Sequence, residues 1–139
     1  MPAMFKTVLF PIDQSREARE AAEVVKSVVQ KYGSRLVLLS VVEATEPEES
    51  SSTEVMASPD AVAQLLKNAQ SMFTEQGISA EAIEREGQPA FVICDVADEI
   101  GASLIVMGCR GMGLTEEGVT DSVTNRVINL SPCPVLVVP

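Results

Sequence analysis

The chain has 139 residues, 46 % of them hydrophobic and 22 % charged, enough for one domain that loses roughly 70 % of its unfolded surface on folding, and too apolar for general disorder. A formal net charge of −10 with no histidine argues against nucleic acid and anionic membrane surfaces as partners, because both are gripped by clustered Lys and Arg. Three cysteines, Cys94, Cys109 and Cys133, lack Cys-x-x-Cys spacing and a histidine to complete a zinc site, so they read as reduced thiols. No stretch approaches the roughly 18 apolar residues of a membrane span, and no basic region precedes a long apolar run; the expectation is a soluble cytoplasmic protein.

The first element is a buried strand over Phe5 to Ile12, short, partly β-branched and stopped by Asp13. A helix follows, with Ala18, Ala21, Ala22, Val25, Val28 and Val29 on one stripe and Gly33 as its stop. "LVLLSVV", Leu36 to Val42, is nearly all apolar, as expected of a strand covered on both faces. Glu43 to Ser58 turns abruptly to Glu, Ser and Thr and reads as an exposed, mobile connection rather than a domain boundary.

Ser58-Pro59 opens the second helix, through Val62, Leu65, Leu66, Ala69 and Phe73 to Gly77. A weaker strand over about Ser79 to Glu86 sets Ala80 and Ala82 against Glu81 and Glu84, the pattern of a sheet edge. Gln88-Pro89 starts a third helix, with Ala90, Ile93, Ala97 and Ile100 inward and Gly101 as its stop. Another apolar strand covers Ser103 to Gly108, a fourth helix runs from about Val119 to Leu130, and "PVLVV", Pro134 to Val138, is the last strand.

Strands alternating with helices imply right-handed β-α-β units, hence an α/β fold with a parallel sheet between two helical layers. Ligands bind such sheets at the carboxyl ends of the strands, where the winding reverses, which brings Asp13, Val41 and the loop from Gly108 within reach of one another. Gly108, Gly111 and Gly113 lie between a strand and a helix, where backbone N–H groups can cradle an anion or merely make a turn. The loop is neither a Walker A motif, with no Gly-Lys-Ser/Thr, nor a Rossmann fingerprint at the first strand. Asp13 is placed either to accept hydrogen bonds from a ribose or adenine or to cap the next helix, and Ser122 and Thr124 either to meet a phosphate or to cap theirs.

Together, "VLFPIDQS", "LVLLSVVE", "LIVMGCRGMG" and "SVTNRVINLSPCPVLVVP" resemble the universal stress protein family over nearly the whole chain. The resemblance implies a three-layer, Rossmann-like sandwich of the adenine nucleotide alpha hydrolase-like kind, with a five-stranded parallel sheet of order 3-2-1-4-5. It further implies adenine-nucleotide binding, ATP or AMP, in the family's nucleotide-binding branch, and homodimers paired through the last strand, here Val135, Leu136, Val137 and Val138. Adenine and ribose contacts would fall to Pro11, Ile12, Asp13 and Val41, and phosphate contacts to Gly108, Gly111, Ser122, Val123 and Thr124, with Arg110 as an extra phosphate partner; Met107 and Gly113 complete the set.

That branch carries Gly, two residues, Gly, nine residues, then Gly-Ser or Gly-Thr. Here Asp121 holds the third glycine's place and Ser122 the hydroxyl's. A like charge about 4 Å from a phosphate costs on the order of 4 kcal/mol at an effective dielectric near 20, against roughly 0.3–1 kcal/mol returned by a helix N-terminus. Three arrangements relieve this: Mg²⁺ bridging Asp121 to the phosphates, a less charged ligand such as AMP or a cyclic nucleotide, or a side chain turned to solvent or capping the fourth helix. The alternative is a family member that does not bind ATP and works through unidentified protein partners. Without histidine, Walker lysine or a nucleophile–base pair, an enzyme is disfavoured beyond weak hydrolysis of bound ATP.

Overall fold

The computed structural model describes residues 5–12, 16–43, 59–108 and 123–138, with the side chains of 16–19, 43, 59–62, 123 and 124 outside the description. The elements are β1 (Thr7–Pro11), α1 (Arg16–Tyr32), β2 (Arg35–Glu43), α2 (Pro59–Glu75), β3 (Ala80–Gly87), α3 (Pro89–Ile100), β4 (Leu104–Gly108), α4 (Val123–Leu130) and β5 (Val135–Val138). The five strands form one sheet of order β3-β2-β1-β4-β5, every neighbouring pair parallel.

The period-2 alternation of the strands divides the core into two. Val8, Phe10, Leu36, Leu38, Val42, Leu104 and Val106 face α1 and α2, against Ala21, Ala22, Val25, Val29, Leu66 and Phe73. Leu9, Val37, Leu39, Val41, Ile105 and Met107 face α3 and α4, against Ala90, Ile93, Val96, Ala97 and Val127. β1, β2 and β4 are therefore apolar on both sides, the reason their sequences run without polar alternation.

Two strand expectations are corrected. Phe5 lies outside β1 because its φ is +55°, a left-handed turn that no strand continues through; its ring meets Tyr32 edge-on, centroids 5.2 Å apart, and its carbonyl accepts the Ser34 hydroxyl. On β3, Ala80 is buried as expected, but Ala82 is exposed and Ile83 packs toward α3, because an edge strand has covering helix over only part of its width.

The helix stops read from sequence hold at Gly33, Gly77 and Gly101, each with positive φ. At Gly101 the αL turn returns two N–H bonds, Gly101 to Asp98 O and Ala102 to Ala97 O, satisfying the last carbonyls of α3. Gly87, at φ +145°, joins β3 to α3 where a Cβ would sit 2.9 Å from Val92 Cγ2; only glycine turns the chain there so closely. The expected connection over 43–58 falls, past Glu43, outside the described residues, as does the fourth helix before Val123.

Candidate functional site

The winding reverses between β1 and β4. β1 leads to β2 and β3 on one side, while β4 and β5 lie on the other. Val8 and Leu9 are level with Leu104 and Ile105; the same offset brings Pro11 level with Met107 and Ile12 level with Gly108. Five of the predicted site residues thus meet at the carboxyl ends of three adjacent strands: Pro11 at the end of β1 with Ile12 just past it, Val41 on β2, Met107 and Gly108 on β4. Ile12, Val41 and Met107 are buried, so what they present is backbone rather than side chain.

β1 and β2 do not end together. Their pairing runs out at Pro11 with Leu39, whereas β2 continues to Glu43, still paired on its far side with β3 as far as Gly87. Among the described residues the last backbone bond between them is Ile12 N–H to Leu39 O, 2.8 Å. Residues of a strand offer N–H and C=O alternately to its two neighbours; since Leu39 turns toward β1, Val41 does too, just where β1 has ended. A donor and an acceptor are held there on a rigid strand.

A residue that sequence reasoning missed sits beneath this corner. Ser40 is 1 % exposed, and its hydroxyl donates to the Ile12 carbonyl at 3.3 Å. Its signal was available: it is the one polar residue inside "LVLLSVV", and a buried hydroxyl needs a partner. At the opposite end of the sheet Ser103 plays a structural part, its Oγ accepting from Thr7 N–H at 2.9 Å and donating to Thr7 O at 3.0 Å.

Other predicted positions are not described: Asp13, Arg110, Gly111, Gly113, Asp121 and Ser122 lie outside the described residues, and Val123 and Thr124 contribute only the first-turn backbone of α4. Among the described residues no group of three or more His, Cys, Asp or Glu could hold a metal; the Mg²⁺ reading through Asp121 concerns residues beyond them. An open hollow of about 340 Å³ lies at the carboxyl end of the β2–β3 edge, lined by Val42, Glu84, Arg85 and Glu86. Arg85 is paired with Glu99 at 3.2 Å, and two carboxylates there make the hollow unsuited to a phosphate.

The two sheet edges differ. β3 exposes Glu81, Glu84, Arg85 and Glu86, and Glu81 takes two hydrogen bonds from Arg35, which hold its carboxyl below the ordinary range. β5 has no charge; Val135 packs inward while Leu136 is exposed, as are Ile128 and Leu130 on the helix leading to it. Charges on an edge block pairing and apolar residues invite it. Cys94 and Cys133 are free and half-buried, and burial pushes both thiols up, away from thiolate reactivity. No helix of the described residues is long and apolar enough to cross a membrane.

Comparisons with known proteins agree with this architecture. The family model described as the universal stress protein family matches residues 4–139. Universal stress protein Sll1654 of Synechocystis is 62 % identical over 136 residues, 98 % of this chain and 87 % of that protein. Hypothetical protein MJ0577, of known structure, superposes with a TM-score of 0.80 at 29 % identity, over 97 % of this chain and 96 % of that one. An Arabidopsis thaliana universal stress protein family protein with AMP bound shares the fold, with a TM-score of 0.70 at 20 % identity over 96 % and 90 % of the two chains. Near-complete coverage, the 62 % relative and the 3-2-1-4-5 sheet lead to one conclusion: this chain belongs to the universal stress protein family.

Proposed function

We propose that the protein binds an adenine nucleotide, AMP or ATP, at the carboxyl ends of β1, β2 and β4, and acts as a homodimer in stress response or signalling. The observation that carries this is the overrun of β2 past β1. Val41 turns an N–H and a C=O toward the β1 side, past the last ladder bond at Ile12, matching the ring-nitrogen acceptor and amino donor on one edge of adenine. Gly108, level with Ile12, starts the glycine loop that would take the phosphates, and the α4 N-terminus adds its dipole. The AMP-bound Arabidopsis relative shows only that this fold can hold such a ligand. Asp121 favours the second reading, a protein that binds no ATP and works through protein contacts.

Equilibrium dialysis of the purified, nucleotide-stripped protein with AMP, cyclic AMP and ATP, with and without Mg²⁺, tests it. Saturable binding of at least one is expected, with nucleotide also released when the freshly purified protein is denatured; absence of both sinks the reading.

For the dimer, the support is the uncharged β5 edge with its exposed Leu136, against the charged β3 edge. Lysine at Val137 is expected to weaken self-association by roughly tenfold or more, the loss typical of a central interface residue. Sedimentation velocity reads this, and an unchanged sedimentation coefficient across a dilution series would exclude β5 as the interface.

A further inference from the structure

We infer that Ser40 is a positioning residue for the base-binding corner: its hydroxyl occupies the Ile12 carbonyl and so keeps the Val41 N–H available to a ligand. In a continued parallel ladder, the rung after Ile12 N–H to Leu39 O would run from Val41 N–H to the Ile12 carbonyl. That carbonyl accepts the Ser40 Oγ–H at 3.3 Å. Ser40 has little alternative use for its hydroxyl, being 1 % exposed on the face where Leu38, Val42 and Phe10 pack. The Ile12 side chain lies in the same core, so its carbonyl needs a protein partner. Ser40 supplies one from the neighbouring strand without using a backbone N–H, and the backbone ladder ends at Ile12 while β2 still offers its donor and acceptor.

Ser40→Ala removes that partner. The Ile12 carbonyl is then expected to take the next ladder donor, the Val41 N–H, and the edge closes. This consequence rests on the reading of the corner as an adenine site, but the closure itself does not. Two measurements separate them.

Amide hydrogen exchange of the ligand-free protein reads the closure: in Ser40→Ala the Val41 amide is expected to exchange several-fold more slowly than in the parent, with Leu104 to Val106 unchanged. A general loosening of the structure would speed exchange instead. Binding reads the consequence: Ser40→Ala should weaken adenine nucleotides by roughly three- to tenfold, the worth of one neutral hydrogen bond, and erase preference over the matching hypoxanthine nucleotide, while Ser40→Thr, which keeps the hydroxyl, restores both. Val41 exchange that is unchanged or faster in Ser40→Ala overturns the inference, as does adenine preference retained without the hydroxyl. If the parent binds no adenine nucleotide, the proposed function fails and the exchange experiment alone decides the role of Ser40.

Discussion

Glycine at Asp121 is expected to strengthen Mg²⁺-free ATP binding tenfold to a thousandfold, and AMP binding markedly less. The range follows from removing one like charge near the phosphates, about 1–4 kcal/mol depending on separation and screening. The gradient matters more than the size. ATP carries more charge than AMP, so a carboxylate facing the phosphates must penalise ATP more, whereas a carboxylate directed at solvent or capping α4 leaves both ligands nearly unchanged on replacement. Glycine also removes a side chain from a place where the chain approaches its ligand closely, but that gain is shared by all ligands and does not mimic the gradient. Isothermal titration of Asp121→Gly and parent with AMP and ATP, each with EDTA or Mg²⁺, separates the cases. If Mg²⁺ bridges Asp121 to the phosphates, glycine should weaken Mg-ATP binding while strengthening metal-free binding. Equal effects on all ligands would show that Asp121 does not sense phosphate charge, and strong ATP binding by the parent would refute the reading in which ATP binding has been lost.

Alanine at Phe73 is expected to cost about 3–5 kcal/mol of stability, the range for truncating a fully buried aromatic. Phe73, on α2, and Phe10, on β1, are each 1 % exposed, and their rings meet nearly perpendicular, at 86° with centroids 6.3 Å apart. With only four phenylalanines and one tyrosine in the chain, this pair is the largest single filling of the core between α2 and the sheet. Against a total stability of roughly 5–15 kcal/mol, the loss should appear as a large fall in the urea midpoint at unchanged slope. Phe10→Ala should cost a similar amount, and the double variant less than the sum by the 0.5–1.5 kcal/mol or so that an edge-to-face pair adds. A loss below about 1 kcal/mol for Phe73→Ala would mean that the surrounding aliphatic side chains collapse into the space.

The fold was legible to an unusual degree because its signals are local. Ala21, Ala22, Val25 and Val29 recur at helical spacing and are buried together; Leu36 to Val42 lacks polar alternation and is covered on both faces; Gly33, Gly77 and Gly101 close their helices in the left-handed conformation. The strand order was carried by the family resemblance, since periodicity alone does not say which strands are neighbours. The departures arose where a neighbour overrides the local pattern. Phe5 reads as strand but turns left-handed to set its ring on Tyr32, and Ala82 reads as inward but lies at an edge that no helix fully covers.

The candidate site divides along the same line. The chain itself determined which residue types are present: the Gly108–Gly111 spacing, the aspartate at position 121 and the uncharged last strand are matters of covalent order. Tertiary structure alone decided that the ladder between β1 and β2 ends at Ile12, one rung before Val41, whose backbone faces that side because it alternates in phase with Leu39, and that Ser40 reaches the Ile12 carbonyl across 28 positions of sequence. The physical reason is that strand periodicity sets which face a side chain takes, while register between two strands depends on the packing of everything that joins them. The hydrogen-bonding groups left over where one strand outruns its neighbour have no signature in either strand's own sequence.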